Sequence, residues 1–316
     1  MTHLHYGGCT AEHPTTSEET MATIAFIGLG NMGGPMAGNL VSAGHTVRGC
    51  DLAAANVDAA KARGVSDGGA AHEAVADADV VITMLPAGKD TLAVYGAGVM
   101  EAARPGTLFI DCSTIDVASA RSAHEIATKA GMRALDAPVS GGVGGAEAGT
   151  LTFMVGGEAA TFADAEAIFA PMAGKTVHCG DGGAGQAAKI CNNMILGISM
   201  IGVAEAFSLG EKLGLSHEAL YDVASTSSGQ CWSLTTYCPV PGPVPTSPAN
   251  RDYQPGFAAE LMVKDLTLAQ EAAQNAQATT PLGAQAAQLY RLFASSGGSQ
   301  SDFSGIINFI RGQAKR

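Results

Sequence analysis

The chain is 316 residues long, 47% apolar and 15% charged, with a formal net charge of −12. That length suffices for two cores, and an acidic chain without a Lys/Arg cluster argues against a nucleic-acid partner or an anionic membrane surface. Seven scattered cysteines, none in a C-x-x-C pair, point to reduced thiols in a cytoplasmic setting, with no disulfide framework and no metal site.

Residues 1–20 carry three glutamates and no Lys or Arg, so they fit neither a signal peptide nor a transit peptide. A disordered leader is expected there, with Met21 as the functional start. From Met21 the pattern becomes regular. "ATIAFIG" (22–28) reads as a buried strand, "NMGGPMAGNLVSAG" (31–44) as a helix and "HTVRGCD" (45–51) as a second strand. A helix over about 53–63 precedes the strands "ADVVITMLP" (78–86) and "GTLFIDCST" (106–114). A helix over 116–130, a strand "MRALDAPVSGG" (132–142), a strand "TLTFMVGG" (150–157), a helix over 159–170 and a strand "KTVHC" (175–179) follow. Strands alternating with helices predict a doubly wound parallel sheet, so residues 21–183 are expected to form an α/β Rossmann domain.

Beyond 183 the period changes. Residues 184–214 keep a helical pattern for about 45 Å at 1.5 Å per residue, and further helices are predicted near 216–226, 258–277 and 281–296. Residues 184–316 should therefore form an all-α domain. Its irregular stretch, "YCPVPGPVPTSPANRDYQPG" (237–256), is long enough to suggest a functional loop. No uninterrupted run of 18 apolar residues occurs, so no membrane span is predicted.

"GLGNMG" places Gly28, Leu29, Gly30, Asn31, Met32 and Gly33 between the first strand and the first helix. That is the context in which G-x-G-x-x-G binds a dinucleotide: a tight turn at Gly28, backbone approach at Gly30 and close helix packing at Gly33. The helix N-terminus offers free N–H groups to the pyrophosphate. Asp51, at the end of the second strand, suits the adenosine ribose hydroxyls and would repel a 2′-phosphate, which selects NAD over NADP.

Lys189 stands in "GQAAKICNNM" with no acidic residue at helical spacing, and Gln186 and Asn193 occupy those positions. Burial would push such an amine toward neutrality, as a proton acceptor requires. The absence of a carboxylate is read here as the feature that lets it release its proton. Asn193, one turn on, can hydrogen-bond a substrate without adding charge. Ser140, Gly141 and Gly142 follow a strand end, where backbone N–H groups and a hydroxyl could hold a carboxylate.

The glycine-rich fingerprint, "DAPVSGG" (136–142), the G-x-x-x-K-x-x-x-N pattern at 185–193 and "KDL" (264–266) stand in order along one chain. In these motifs the chain resembles the β-hydroxyacid dehydrogenase family, from Thr23 nearly to the C-terminus. Residues 226–257 are similar to its 3-hydroxyisobutyrate dehydrogenase branch. They depart from it at Gln230, where the branch usually has arginine, and at Cys238, where it usually has asparagine. The resemblance implies NAD-dependent oxidation of 3-hydroxyisobutyrate to methylmalonate semialdehyde, in valine degradation, with Lys189 as the general acid/base. It further implies that Leu85, Pro86, Asp90, Thr114 and Lys264 line the cofactor, and that Trp232 and Phe257 shape an apolar wall for the substrate. A homodimer or homotetramer is implied as well. The alternatives are a tartronate, glyoxylate or succinic semialdehyde reductase of the same fold, or a dinucleotide-binding module without catalysis.

Overall fold

The computed structural model describes residues 21–312, and the segment expected to be a leader lies outside the described residues. The strand "TIAFI", β1 (Thr23–Ile27), is buried along nearly its whole length, and period-2 alternation sends its side chains to two different cores. Ile24 and Phe26 join one apolar cluster, Ala25 and Ile27 the other. A strand apolar on both faces belongs in the middle of a sheet. β1 lies there, parallel to β2 (Thr46–Cys50) on one side and to β4 (Val80–Thr83) on the other.

The sheet runs β3-β2-β1-β4-β5-β6-β8-β7, where β3 is Ser66–Asp67, β5 Leu108–Asp111, β6 Arg133–Asp136, β7 Val139–Ser140 and β8 Leu151–Gly156. β9 (Ala173–Gly180) pairs with β8. Helices α1 (Gly33–Ser42), α2 (Ala54–Lys61), α3 (Ala71–Val75), α4 (Gly88–Val94), α5 (Met100–Ala102), α6 (Val117–Lys129), α7 (Gly142–Ala148) and α8 (Ala159–Phe169) accompany it. The parallel arrangement holds from β3 to β6 and for β8 with β9. β8 is antiparallel to both β6 and β7, so the expected all-parallel sheet is corrected at that edge. The strand expected over 132–142 is likewise two short ones. Pro138 sits between them; it has no N–H to donate to a ladder, and its carbonyl accepts from Met154 N at 3.0 Å.

The C-terminal part is helical. α9 (Ala184–Lys212) is followed by α10 (His217–Ser225), α11 (Trp232–Thr235), α12 (Ala259–Asn275), α13 (Pro281–Phe293) and α14 (Ile306–Ile310). Met200, Ala204 and Phe207 of α9 share one core with Met262 and Leu266 of α12 and Tyr290 of α13. Glycines let these helices close up: a Cβ on Gly197 would stand 3.2 Å from the Leu266 side chain. With an 18-residue stretch of mean hydropathy 1.5, α9 is long and apolar enough to cross a membrane by length and composition alone. The sequence expectation of no membrane span rested on the lack of an uninterrupted apolar run, which α9 shares, since Gln186, Lys189, Asn192 and Asn193 interrupt it; its average hydropathy passes all the same. The reason is that α9 is apolar on its core face and on an outer face alike: Ile195 and Leu209 are more than half exposed.

Candidate active site

The fingerprint glycines serve different masters. Gly28 has φ +97°, and a Cβ there would fall 2.2 Å from Met84 O; on Gly33 it would fall 1.9 Å from Gly28 O. Both positions are demanded by the protein's own backbone. Gly30 is different: a Cβ there would meet nothing within 4 Å. Asp51 fastens the turn, accepting from Leu29 N through Oδ2 and from Ala53 N through Oδ1, both at 2.8 Å.

The loops after β4, β5 and β6/β7 carry the other predicted residues, at the carboxyl edge where open α/β sheets bind ligands. Leu85 and Pro86 follow β4, and Leu85 N donates to Ser113 Oγ at 2.8 Å. Thr114 follows β5, and Asp90 lies in the first turn of α4. Lys264 reaches over from α12 and donates to Pro86 O at 2.6 Å. Burial lowers its pKa, against the pull of Asp265, Asp111 and Asp90. Beneath these loops Asp111 is fully buried, and desolvation pushes it up to about 6 despite bonds from Thr83 and Ser113.

Lys189 lies in the second turn of α9 and is 6% exposed. Desolvation lowers its pKa, Asp265 opposes the shift and Lys264 adds to it. The expectation of a lysine without a carboxylate is thus corrected. The carboxylate comes from another helix, which spacing along α9 could not reveal. Asp265 is itself buried and its pKa raised, first by desolvation. It accepts a short hydrogen bond from Asn193 Nδ2 and, among the described residues, forms no salt bridge with Lys189. Asn193 Oδ1 accepts from Asn192 Nδ2 at 2.9 Å. The Asn193 amide thus grips Asp265, a contact that periodicity within α9 could not show. Asp265 was legible only as the middle residue of "KDL".

Two more residues went unassigned by sequence reasoning. Asp136, the first residue of "DAPVSGG", is buried against the start of α9 and accepts from Gly183 N at 2.7 Å and Gln186 N at 2.9 Å, with His124 Nε2 at 3.0 Å. A carboxylate there satisfies N–H groups the helix cannot use and complements its dipole. Gly185 permits the approach: a Cβ would lie 2.3 Å from Met154 O.

Ser140, Gly141 and Gly142 open α7, with φ of +138° at Gly141 and +63° at Gly142. A Cβ on Gly142 would stand 3.1 Å from Gly256 O, so the proline-rich loop meets this turn directly. Asp302, fully buried, holds that end of the loop, accepting through Oδ2 from Gly256 N, Phe257 N and Tyr237 Oη at 2.9–3.1 Å. Phe257 meets Phe303 edge-on. Trp232 stacks on Tyr237, ring centroids 4.9 Å apart, and remains half exposed. Phe257 thus follows directly on the Gly256 that meets the Ser140–Gly142 turn, and Trp232 is joined to that glycine's surroundings through Tyr237. A cavity of about 260 Å³ under Tyr253, Phe293 and Phe309 contains none of the predicted site residues.

The family described as the NAD binding domain of 6-phosphogluconate dehydrogenase matches residues 23–180. That described as NAD-binding of NADP-dependent 3-hydroxyisobutyrate dehydrogenase matches 183–310. A probable 3-hydroxyisobutyrate dehydrogenase of Mycobacterium tuberculosis is 56% identical over 294 residues, 93% of this chain and 99% of that one. The chain belongs to the β-hydroxyacid dehydrogenase family. Within it the likeness is to 3-hydroxyisobutyrate dehydrogenases, NAD-dependent oxidoreductases. The solved structure of the M. tuberculosis 3-hydroxyisobutyrate dehydrogenase with L-serine has a TM-score of 0.90 at 56% identity, covering 92% of this chain and all of that one. An NAD-dependent L-serine dehydrogenase of Pseudomonas aeruginosa is 49% identical over 286 residues, 90% of this chain and 96% of that one.

The residues present suit the cofactor of this dehydrogenase. Open space at Gly30 leaves the backbone free for a pyrophosphate at the start of α1. The Asp51 oxygens, each holding one N–H, keep acceptor capacity for ribose hydroxyls. The nearest following base, Lys61, is engaged by Asp67 at 2.9 Å and Asp58 at 3.5 Å.

Proposed function

We propose that this dehydrogenase oxidises 3-hydroxyisobutyrate to methylmalonate semialdehyde with NAD, as in valine degradation. The observation that carries the reading is the buried Lys189 amine, its pKa lowered, on the helix that Gln186 bonds to the 113–115 loop and beside the Lys264 that reaches Pro86 O. Lys189 Nζ takes the hydroxyl proton of the substrate as the C–H bond is broken. NAD, when bound between Gly28–Gly33, Asp51, Leu85, Pro86, Asp90 and Thr114, supplies the hydride acceptor. Ser140 Oγ and the N–H groups of Gly141 and Gly142 hold the substrate carboxylate. Trp232 and Phe257 wall off its methyl group, and Asn193 keeps Asp265 in place. Lys264, already across the cleft at Pro86 O, contributes the positive charge on the cofactor side. In this reading residues 21–183 bind the cofactor, residues 184–316 complete the substrate site, and the enzyme works in the cytoplasm.

L-serine oxidation is the second reading. It is supported by the 49% identical L-serine dehydrogenase and by the L-serine in the solved relative's structure. Initial rates of NADH formation with 3-hydroxyisobutyrate, L-serine, glycerate and 4-hydroxybutyrate separate the two. The first reading expects the highest kcat/KM for 3-hydroxyisobutyrate, and a rate with NADP at least tenfold lower than with NAD. A tenfold preference for L-serine replaces it with the second; absence of turnover with all four sinks both.

The outer face of α9 supports a homodimer or homotetramer. Ile195 and Leu209, with Leu213 just beyond the helix, are 66%, 58% and 71% exposed, and a Cβ on Gly202 would meet nothing within 4 Å. Such a face is suited to a second copy of itself. Light scattering should give at least twice the 31.8 kDa chain mass, and Ile195→Glu with Leu209→Glu should shift it toward one chain. A monomeric unmutated protein would overturn this.

A further inference from the structure

Gln186 stands one turn before Lys189 on the same helix and has no solvent exposure. Its side chain behaves like a peptide unit laid against a strand. Nε2 donates to Ser113 O at 2.7 Å, and Oε1 accepts from Ile115 N at 3.1 Å. Its own backbone N–H donates to Asp136. The segment it grips brackets Thr114, and Ser113 Oγ accepts from Leu85 N. One amide therefore ties the start of α9 to the 113–115 loop, which Ser113 Oγ in turn joins to the loop after β4. Gly185 adds a third point of attachment by seating the helix on β8. The later turns of α9 pack instead with α12 and α13.

We infer that Gln186 is a positioning residue that locks Lys189 to the cofactor domain, so that the amine keeps its place over the cleft while Asp265 and Lys264 come to it from the helical domain. A primary amide offers an uncharged donor and an acceptor in one plane at this reach. Loss of either bond leaves a buried polar group of the 113–115 loop without a partner and frees the first turns of α9 to shift. Hydride transfer needs the reacting atoms aligned at near-contact distance, and a displacement of about 1 Å is worth on the order of a hundredfold in rate. The inference rests on Lys189 being the proton acceptor.

The test compares Gln186→Leu, Gln186→Glu and Lys189→Met in the full chain. Readouts are kcat, KM, NAD affinity, thermal midpoint and the isotope effect on kcat with substrate deuterated at the carbinol carbon. Gln186→Leu removes both side-chain bonds; Gln186→Glu keeps the acceptor for Ile115 N and, wherever its carboxyl is ionised, loses the donor to Ser113 O, so its defect should grow with pH. Both should lower kcat at least tenfold, leave NAD affinity within threefold and raise the isotope effect. A folded Gln186→Leu with kcat within threefold of the unmutated enzyme would overturn the inference. So would kcat and NAD affinity falling by the same factor, the mark of a structural role. Should Lys189→Met retain full activity, the assignment of the base fails and the inference falls with it, whereas an inactive Lys189→Met beside a fully active Gln186→Leu sinks the inference alone. Amide exchange on the unmutated enzyme needs no variant to fold. Ile115 N–H should exchange as slowly as β5 and stay equally protected when substrate binds; rapid exchange there would also overturn the inference.

Discussion

Replacing Lys189 by methionine is expected to lower kcat by roughly 10²- to 10⁴-fold, the range set by removing a general acid/base. NAD affinity should change little, because none of the cofactor loops uses that amine for its own hydrogen bonds. Methionine keeps the length and apolar body of the lysine stem, so no large cavity forms at a site only 6% exposed. The pH profile gives a second check. Oxidation requires the neutral amine, so kcat/KM should rise with pH through the Lys189 pKa and level off above it. That limb should lie below the ordinary lysine value, since desolvation dominates. Asp265 pulls the pKa upward, so Asp265→Asn should move the limb to lower pH and Lys189→Met should abolish it. Retention of activity within tenfold in Lys189→Met, with the limb intact, would remove Lys189 from the chemistry.

Gly28→Ala and Gly30→Ala should fail in opposite ways. At Gly28 the new methyl faces a carbonyl oxygen at 2.2 Å in a backbone with φ +97°. Strain and clash together should cost roughly 3 kcal/mol or more of stability, read as a lower thermal midpoint. Gly30→Ala meets no protein atom within 4 Å and should unfold within a few degrees of the parent. Its methyl would instead occupy the space that a pyrophosphate needs, so NAD affinity should weaken at least about tenfold. Calorimetric titration decides: unchanged NAD binding in Gly30→Ala would mean the dinucleotide does not pass there.

The contrast between these glycines shows where the sequence was legible. Spacing alone marked all three as a fingerprint, because the turn, the strand before it and the helix after it are local. α9 was equally plain, a helical pattern carried without a break over 29 residues. What spacing could not give was contact between distant segments. Asp265 is 76 positions from Lys189, and its bond to Asn193 depends on how α12 crosses α9. The antiparallel edge at β8 was hidden for the same reason, since a short apolar strand carries no record of its partner's direction. Asp136 was read as part of a motif, while its work at the head of α9 belongs to tertiary packing.

Where Gly142 faces Gly256 O, the turn that opens α7 and the proline-rich loop are separated by the thickness of bare main chain. A gap gauged by backbone does not vary with the side chains around it. The proline-rich loop can therefore change in sequence over most of 237–256 and still stand at the same distance from the Ser140–Gly142 turn, provided that Asp302 keeps its grip on Gly256 and Phe257. What tolerates change in that loop is thus its side chains, while the two glycines and the aspartate fix where its main chain runs.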